Sequence, residues 1–254
     1  MKIANVNGID IAYERWGSRT PLLLIHGFPL DRTSWSAVVP LLVTKFDLII
    51  PDLRGFGDSS PINGPYRMTD AADDLAGLLD HLGVDRVAVA GHSMGGYVAL
   101  AFVEKYLNRV SGLALISSQA AADSPEKKDG RYKTAQAVGD EGIGVVVDAM
   151  MPKFSAKTVS QEYVHEIMSR QKPSGMIGGL EAMAEREDRS AILASLGVPL
   201  ILIHGDADEL IPIDKSREIK SVTPSAKLVE LAGVGHLPMV DASKETAEAL
   251  KLLL

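Results

Sequence analysis

The chain has 254 residues, a formal net charge of −7 at pH 7 and a pI near 5.4. An α/β fold of this length forms a single unit with a sizeable core. The acidic balance, without long basic runs, argues against nucleic acid or an anionic membrane as the main partner and favours a small, largely neutral ligand.

The composition also bears on the compartment. The opening residues MKIANVNGIDIAY lack the basic start and apolar stretch of a secretory signal, and no segment reaches the ~20 apolar residues of a membrane span. The absence of cysteine excludes a disulfide, a thiolate nucleophile and a cysteine metal site. We therefore expect a soluble, cytoplasmic protein with no membrane partner.

The strands follow two patterns. The opening ANVNGIDIAYERWG predicts an antiparallel hairpin that turns near Asn7 and Gly8. Later strands are short, continuous apolar runs, at residues 22–25, 46–50, 86–90, 113–116 and 200–203. Such runs are typical of strands buried on both faces of a parallel sheet. The hairpin is therefore predicted to add an edge to that sheet.

Helical patterns lie between several of these strands. The clearest is TDAADDLAGLLDHLG, in which Thr69 is predicted to cap the start and Gly83 to end the helix. Its apolar face consists of Leu75, Leu78, Leu79 and Leu82. The alternation of strand and helix predicts an α/β fold with a mostly parallel, doubly wound sheet.

The alternation stops between residues 120 and 192, where only helical stretches follow one another. We interpret this segment as a helical cap inserted into a core formed by residues 1–119 and 193–254. Five of the nine methionines fall in it: Met150, Met151, Met168, Met176 and Met183. Unbranched thioethers adapt to irregular apolar ligands, so Met150 and Met183 are candidate pocket residues, with ordinary helix packing as the alternative.

The stretch AVAGHSMGGYVAL places Ser93 between a buried strand and a small-residue helix. A sharp strand-to-helix turn needs small residues two positions on either side of its apex, and Gly91 and Gly95 meet that need. Such a turn exposes the Ser93 hydroxyl beside a helix N-terminus, which suits a nucleophile. The alternative is a serine that only caps the helix.

A serine nucleophile needs a general base, and six histidines are available: His26, His81, His92, His165, His204 and His236. His236 follows all the core strands in the turn-like AGVGHLP and is the predicted base. His81 and His165 lie in helical patterns and are expected at the surface. His92, with its side chain expected to point away from the nucleophile, and His204 are interpreted as structural histidines.

The loop HGDADELIP offers the carboxylate that would orient the base, at the C-terminal end of a predicted strand. We favour Asp208 over Asp206, which we expect to hold the turn. Two other sets of charged residues are predicted to have local structural roles. Asp52, Arg54 and Asp58 are predicted to stabilise a turn, and Asp31 and Arg32 to start a helix near Trp35.

Together these residues resemble the α/β-hydrolase family, in which the triad follows the order serine, aspartate, histidine. The resemblance rests on HGFP at 26–29, PDLRGFGDS at 51–59, GHSMGG at 91–96, GDADELIP at 205–212 and GVGH at 233–236. It implies that the backbone N–H groups of Phe28 and Met94 form the oxyanion hole. Phe28 and Trp35 are candidate pocket residues, with core packing as the alternative for Trp35.

The resemblance further implies a serine hydrolase that cleaves carboxylic esters, and a helical cap rich in methionine and leucine favours short to medium acyl chains. The alternative is a lactonase acting on acyl-homoserine lactones or enol-lactones. A C–C hydrolase, a perhydrolase of the haloperoxidase type and a non-catalytic ligand receptor remain open. No metal-ligand spacing, G-x-G-x-x-G or P-loop is present, so we predict no metal and no cofactor. The expected partner is a small ester or lactone, bound by a monomer or homodimer.

Overall fold

The computed structural model describes residues 1–62 and 64–254. Its sheet has eight strands in the order β1-β2-β4-β3-β5-β6-β7-β8. The strands are β1 Lys2–Val6, β2 Ile9–Gly17, β3 Thr20–Ile25, β4 Phe46–Pro51, β5 Val87–His92, β6 Val110–Ile116, β7 Leu200–Gly205 and β8 Lys227–Leu231. From β4 to β8 every neighbouring pair is parallel, whereas β1 and β2 run antiparallel at one edge.

The strand predictions are confirmed. The first two strands form the expected hairpin, with positive φ at both Asn7 and Gly8, as a tight turn between twisted strands requires. Every residue of β4, β5 and β7 is buried. Because successive side chains of a strand point to opposite faces, the sheet must be covered on both sides.

Eleven α-helices occur among the described residues, together with 3₁₀ turns at 32–35, 107–109 and 251–253. They are α1 Val39–Leu42, α2 Met68–His81, α3 Met94–Tyr106, α4 Pro125–Glu141, α5 Gly144–Phe154, α6 Thr158–Ser169, α7 Pro173–Ala184, α8 Ser190–Ala194, α9 Asp214–Val222, α10 Pro238–Asp241 and α11 Ser243–Leu250. Helices α2 and α3 pack against each other, and α1 packs against α11.

Helix α2 starts differently from the prediction. Its N-cap is Arg67, so the assignment of Thr69 as the cap is wrong. The Asp70 carboxylate accepts a hydrogen bond from the Arg67 N–H at 2.7 Å, so the helix is capped two residues earlier than a threonine cap would allow. The predicted end is confirmed, since Gly83 follows the helix with a φ of 66°.

Helices α4 to α7, residues 125–184, lie between β6 and β7 and are called the helical segment below. Within it α4 packs along α7, and α5 packs against α6. Helix α8 crosses the predicted boundary at residue 192, and the division into core and cap stays a prediction. Among the described residues, no helix is long and apolar enough to cross a membrane.

Candidate active site

The turn from β5 into α3 places Ser93 at its apex. Ser93 has φ 52° and ψ −117°, a conformation that is costly for a residue with a Cβ atom. A Cβ atom at Gly91 would overlap the backbone carbonyl of Gly95, and one at Gly95 would overlap the carbonyl oxygen of Ile25. The two glycines thus permit the sharp turn, as the sequence predicts, and the Ser93 backbone N–H is held by the Ile116 carbonyl at 2.9 Å.

The structure brings Ser93, His236 and Asp208 into one hydrogen-bonded relay. The Ser93 hydroxyl lies 2.9 Å from His236 Nε2. On the other side of the ring, His236 Nδ1 lies 2.7 Å from Asp208 Oδ2, so this nitrogen donates to the carboxylate. Nε2 is thereby left free to accept the serine proton, which is the arrangement that general-base activation of a hydroxyl requires.

The Asp208 carboxylate is buried yet stabilised in its charged form. Burial raises the pKa of Asp208, but the facing His236, the nearby His204 and the Ile211 N–H outweigh that effect and hold the pKa well below 3.8. The N–H groups of Leu210 and Ile211 both donate to Asp208 Oδ1 at 2.9 Å. The carboxylate therefore stays ionised and fixed in orientation beside the imidazole.

The two aspartates of this loop have different partners. Asp206 is exposed, and its carboxylate accepts the Gly233 N–H at 2.6 Å. It therefore closes the loop that leads to His236, as predicted. Only Asp208 reaches the His236 ring.

The loop after β3 lies directly against the turn that carries Ser93. A Cβ atom at Gly27 would lie 2.6 Å from His92 Nδ1, so the HGFP backbone touches the residue before the nucleophile. Within the described residues, the N–H groups of Phe28 and Met94 donate to no protein acceptor. The HGFP loop and the turn at Ser93 thus each carry one N–H group without a protein acceptor among the described residues.

Comparisons with known proteins identify the family of the chain. A family model of the alpha/beta hydrolase fold matches residues 20–140. Lipase 1 from Psychrobacter immobilis is 31% identical, and the match covers 91% of this chain and 75% of that protein. The chain belongs to the α/β hydrolase fold family.

Solved structures of the family agree over nearly the full chain. A thermophilic esterase from Thermogutta terrifontis is 35% identical, with a TM-score of 0.95 over 99% of this chain and 97% of its own. The enol-lactonase from Burkholderia xenovorans LB400 is 25% identical, with a TM-score of 0.91 over 99% of each chain. The predicted α/β-hydrolase fold and carboxylic ester hydrolase class are confirmed.

Of the other histidines of this α/β hydrolase, the four with a predicted placement lie where the sequence predicts, and His26 has none. His81 and His165 are exposed. His204 is buried, with Nε2 at 2.8 Å from the Ile211 carbonyl and Nδ1 at 2.7 Å from the Ser216 hydroxyl. His26 accepts the Leu53 N–H at 2.9 Å, and burial lowers the pKa of His26. His92 is hydrogen-bonded as expected, but its partner is the backbone of His236.

The candidate pocket residues have varied surroundings. Trp35 is fully buried in the hydrophobic core, in agreement with the packing alternative. The Met183 sulfur lies 3.3 Å from Arg131 Nη1, and Met150 is half-buried on α5. The Phe28 ring packs edge-on against Phe56 with centroids 6.0 Å apart. The pocket roles of Trp35, Met150 and Met183 stay predictions.

The charged turn after β4 is only partly local, because Arg54 turns away from it and pairs with Asp74 of α2 at 2.6 Å. The buried Asp52 carboxylate pairs with the Arg32 guanidinium and accepts the Asp58 N–H at 2.9 Å. Asp31 accepts the Thr33 N–H at 2.9 Å and so starts the 3₁₀ turn that carries Trp35. In the part of the chain that the structure describes, no group of three or more acidic or histidine side chains is placed to hold a metal ion.

Sequence reasoning missed the helical segment's contact with the base. The His236 N–H donates to the carbonyl oxygen of Phe154, at the end of α5, at 2.8 Å, and the two rings pack with centroids 5.5 Å apart. The Asp241 carboxylate accepts hydrogen bonds from the hydroxyl groups of Ser155, at 2.6 Å, and Ser160, at 2.5 Å, and so holds the residues that follow Phe154. A backbone acceptor such as the Phe154 carbonyl leaves no signal in sequence.

Proposed function

We propose that this protein is a serine carboxylesterase that cleaves esters of short to medium acyl chains through an acyl-enzyme on Ser93. The observation that carries the proposal is the relay from Ser93 Oγ through His236 to Asp208, at 2.9 and 2.7 Å. Such a relay activates a hydroxyl that is otherwise a poor nucleophile near neutral pH.

In the first half-reaction, His236 Nε2 takes the Ser93 proton while Oγ attacks the ester carbonyl carbon. The negative charge that develops on the carbonyl oxygen is stabilised by the N–H groups of Phe28 and Met94, each contributing roughly 3 to 4 kcal/mol. The tetrahedral intermediate collapses, the C–O bond to the alcohol breaks, and His236 gives its proton to that alcohol. Ser93 is left as an acyl ester.

In the second half-reaction a water molecule enters where the alcohol left. His236 Nε2 takes one of its protons, and the hydroxide oxygen attacks the acyl carbon on the same oxyanion donors. Collapse returns the proton to Ser93 and releases the carboxylic acid. Asp208 remains ionised throughout and stabilises the imidazolium that forms twice in the cycle.

The acyl-chain limit rests on the contact between α7 and the oxyanion loop. A Cβ atom at Gly179 would lie 3.0 Å from the Phe28 ring and 2.9 Å from the Phe56 ring. The helical segment thus covers Phe28, which is only 3% exposed, at close range. The packing of α7 against Phe28 leaves little room for a long acyl chain beside the Phe28 N–H, which supports esters of short to medium acyl chains.

Lactone hydrolysis is the second candidate. The observation that favours it is the similarity to the Burkholderia xenovorans enol-lactonase, with a TM-score of 0.91 and 25% identity. The same relay opens a lactone by the same steps, except that the leaving alcohol stays attached to the acyl-enzyme. The two functions therefore differ in the pocket and share Ser93, His236 and Asp208.

The deciding experiment compares kcat/KM for p-nitrophenyl butyrate and an N-acyl homoserine lactone in one buffer, with Ser93→Ala as the control. We expect the aryl ester to be favoured by orders of magnitude, and the variant to lose at least about 10⁴-fold on both substrates. A preference for the lactone would make the protein a lactonase. An active Ser93→Ala variant would overturn the mechanism.

Active-site labelling separates an enzyme from a ligand receptor. An organophosphonate should label the wild type stoichiometrically through Ser93 and should fail to label His236→Ala, because the hydroxyl then has no base. Equal labelling of both proteins would show that His236 is not the base. A p-nitrophenyl ester series from acetate to palmitate then tests the acyl-chain limit.

The partner and the compartment are proposed from composition. The net charge of −7 supports a small neutral ester or lactone as the partner, without nucleic acid or membrane. The absence of cysteine supports a cytoplasmic location. A monomer or a homodimer is proposed, and sedimentation analysis distinguishes the two.

A further inference from the structure

His92 touches three parts of the active site at once. It directly precedes Ser93 and is fully buried. Its Nε2 lies 2.7 Å from the backbone carbonyl oxygen of His236, and the two imidazole centroids are 4.9 Å apart. Its other nitrogen, Nδ1, faces Gly27, which precedes the oxyanion donor of Phe28.

The hydrogen-bond partner determines the tautomer of His92. A carbonyl oxygen can only accept, so His92 Nε2 carries the hydrogen and donates to His236. Nδ1 then keeps a lone pair, and among the described residues this buried atom has no hydrogen-bond partner. The His92 ring is therefore engaged through one nitrogen only, and that nitrogen holds the loop of the base.

The backbone of His236 is held from two opposite sides. Its N–H donates to the Phe154 carbonyl of the helical segment at 2.8 Å, and its C=O accepts from His92. Because both backbone groups of His236 are hydrogen-bonded, its Cα position is fixed, and so is the point from which the imidazole extends to Ser93 Oγ at 2.9 Å. Of these two contacts, only the one from His92 is made by a side chain.

We propose that His92 is a positioning residue that sets the distance between the base His236 and the nucleophile Ser93 through its Nε2–H donor. This proposal rests on the proposed function, since it assigns a role relative to that base and nucleophile. His92 touches no reacting atom in this arrangement. It acts on the base through the hydrogen bond to the backbone carbonyl of His236.

A neutral His92 also suits the charge that appears during catalysis. The charged or titratable groups that face it are His236, Asp208 and His26. Burial, followed by the neighbouring His236, lowers the pKa of His92 well below 6.5. A cationic His92 would repel the imidazolium that forms at His236, whereas the neutral donor adds no charge beside it.

The test compares His92→Gln with His92→Asn and His92→Phe. The glutamine amide nitrogen can reach the position of Nε2, whereas the asparagine amide ends nearer the backbone and phenylalanine keeps the ring without a donor. We expect His92→Gln to stay within about threefold of the wild-type kcat. The other two should lose about 10- to 100-fold in kcat with little change in KM, the size expected when reacting groups are displaced by about 1 Å.

Melting temperatures of the three variants show whether a loss of kcat comes with a loss of stability, as a simple packing role would predict. If His92→Asn does not fold, His92→Phe is compared with His92→Gln instead. Equal losses in all three variants, or a wild-type kcat in folded His92→Phe, would overturn the proposal. Failure of the proposed function looks different, because it shows as an active Ser93→Ala or a labelled His236→Ala. The rate of organophosphonate labelling should follow kcat across the His92 series.

Discussion

The loops at the carboxyl ends of the strands and the helical segment of residues 125–184 are held in place by different means. The turn at Ser93 depends on backbone contacts that only Gly91 and Gly95 permit. The helical segment depends on side-chain carboxylates at its margins, at Asp31, Asp123 and Asp241. The Ser93 turn is therefore fixed by backbone contacts, whereas the helical segment is joined to the rest of the chain by polar side-chain contacts.

The carboxylates of Asp31, Asp123 and Asp241 are buried, and each forms hydrogen bonds or ion pairs with several side chains. Asp123 pairs with Arg186 at 2.8 Å and also with Arg131. Asp31 accepts from Arg170 at 2.9 Å and from Gln171 at 3.0 Å. Buried charges of this kind are costly unless every partner is present, so each junction is sensitive to the loss of one group.

The largest effect is expected at Asp208, in the loop after β7 that also carries Asp206. Asp208→Asn should lower kcat by about 10³- to 10⁴-fold, because the amide no longer holds His236 in the tautomer that accepts the serine proton. Steady-state kinetics with p-nitrophenyl butyrate measures this loss. The matched control is Asp206→Asn, which should stay within a few-fold of the wild type because Asp206 only closes the loop at Gly233. Similar losses in both variants would erase the distinction between these residues.

The next effect concerns stability at the margin of the helical segment. Asp123→Ala should destabilise the protein by about 3 to 5 kcal/mol, because it leaves the buried Arg186 without its counter-charge. Urea unfolding gives the value. The control is Asp129→Ala, whose carboxylate forms an exposed pair with Lys133 and should leave the free energy of unfolding nearly unchanged. If Asp123→Ala costs as little as the control, the buried pair does not anchor the segment.

The smallest effect is a pH dependence at Asp31. Burial raises the pKa of Asp31, but hydrogen bonds from Thr33 and the charge of Arg170 outweigh it, so the folded pKa lies below the ordinary 3.8. Stability from this carboxylate is therefore fully present above that value and is lost as the pH falls through the folded pKa. Asp31→Asn should cost about 2 kcal/mol at pH 7 and less at pH 3. Melting curves across this range measure it, and a pH-independent difference would contradict the assignment.

The sequence predicts most of the core because its signals are local. The continuous apolar runs predict the parallel strands, and the G-x-S-x-G spacing predicts the turn at Ser93. The structure gives the two aspartates separate partners, since Asp208 contacts the His236 ring and Asp206 accepts the Gly233 N–H. The cap at Thr69 is wrong because Asp70 bonds to the preceding Arg67 and starts the helix earlier.

By itself the sequence determined the strands, the glycine-flanked turn and the order of serine, aspartate and histidine, since hydrophobic periodicity and glycine sterics act within a few residues. Only the tertiary structure decided that His92 and Phe154 hold the backbone of His236. His92 and His236 are 144 positions apart, and the groups they join include backbone atoms that every residue carries. No side-chain pattern encodes such a contact, so it arises only when the folded sheet and the helical segment bring these loops together.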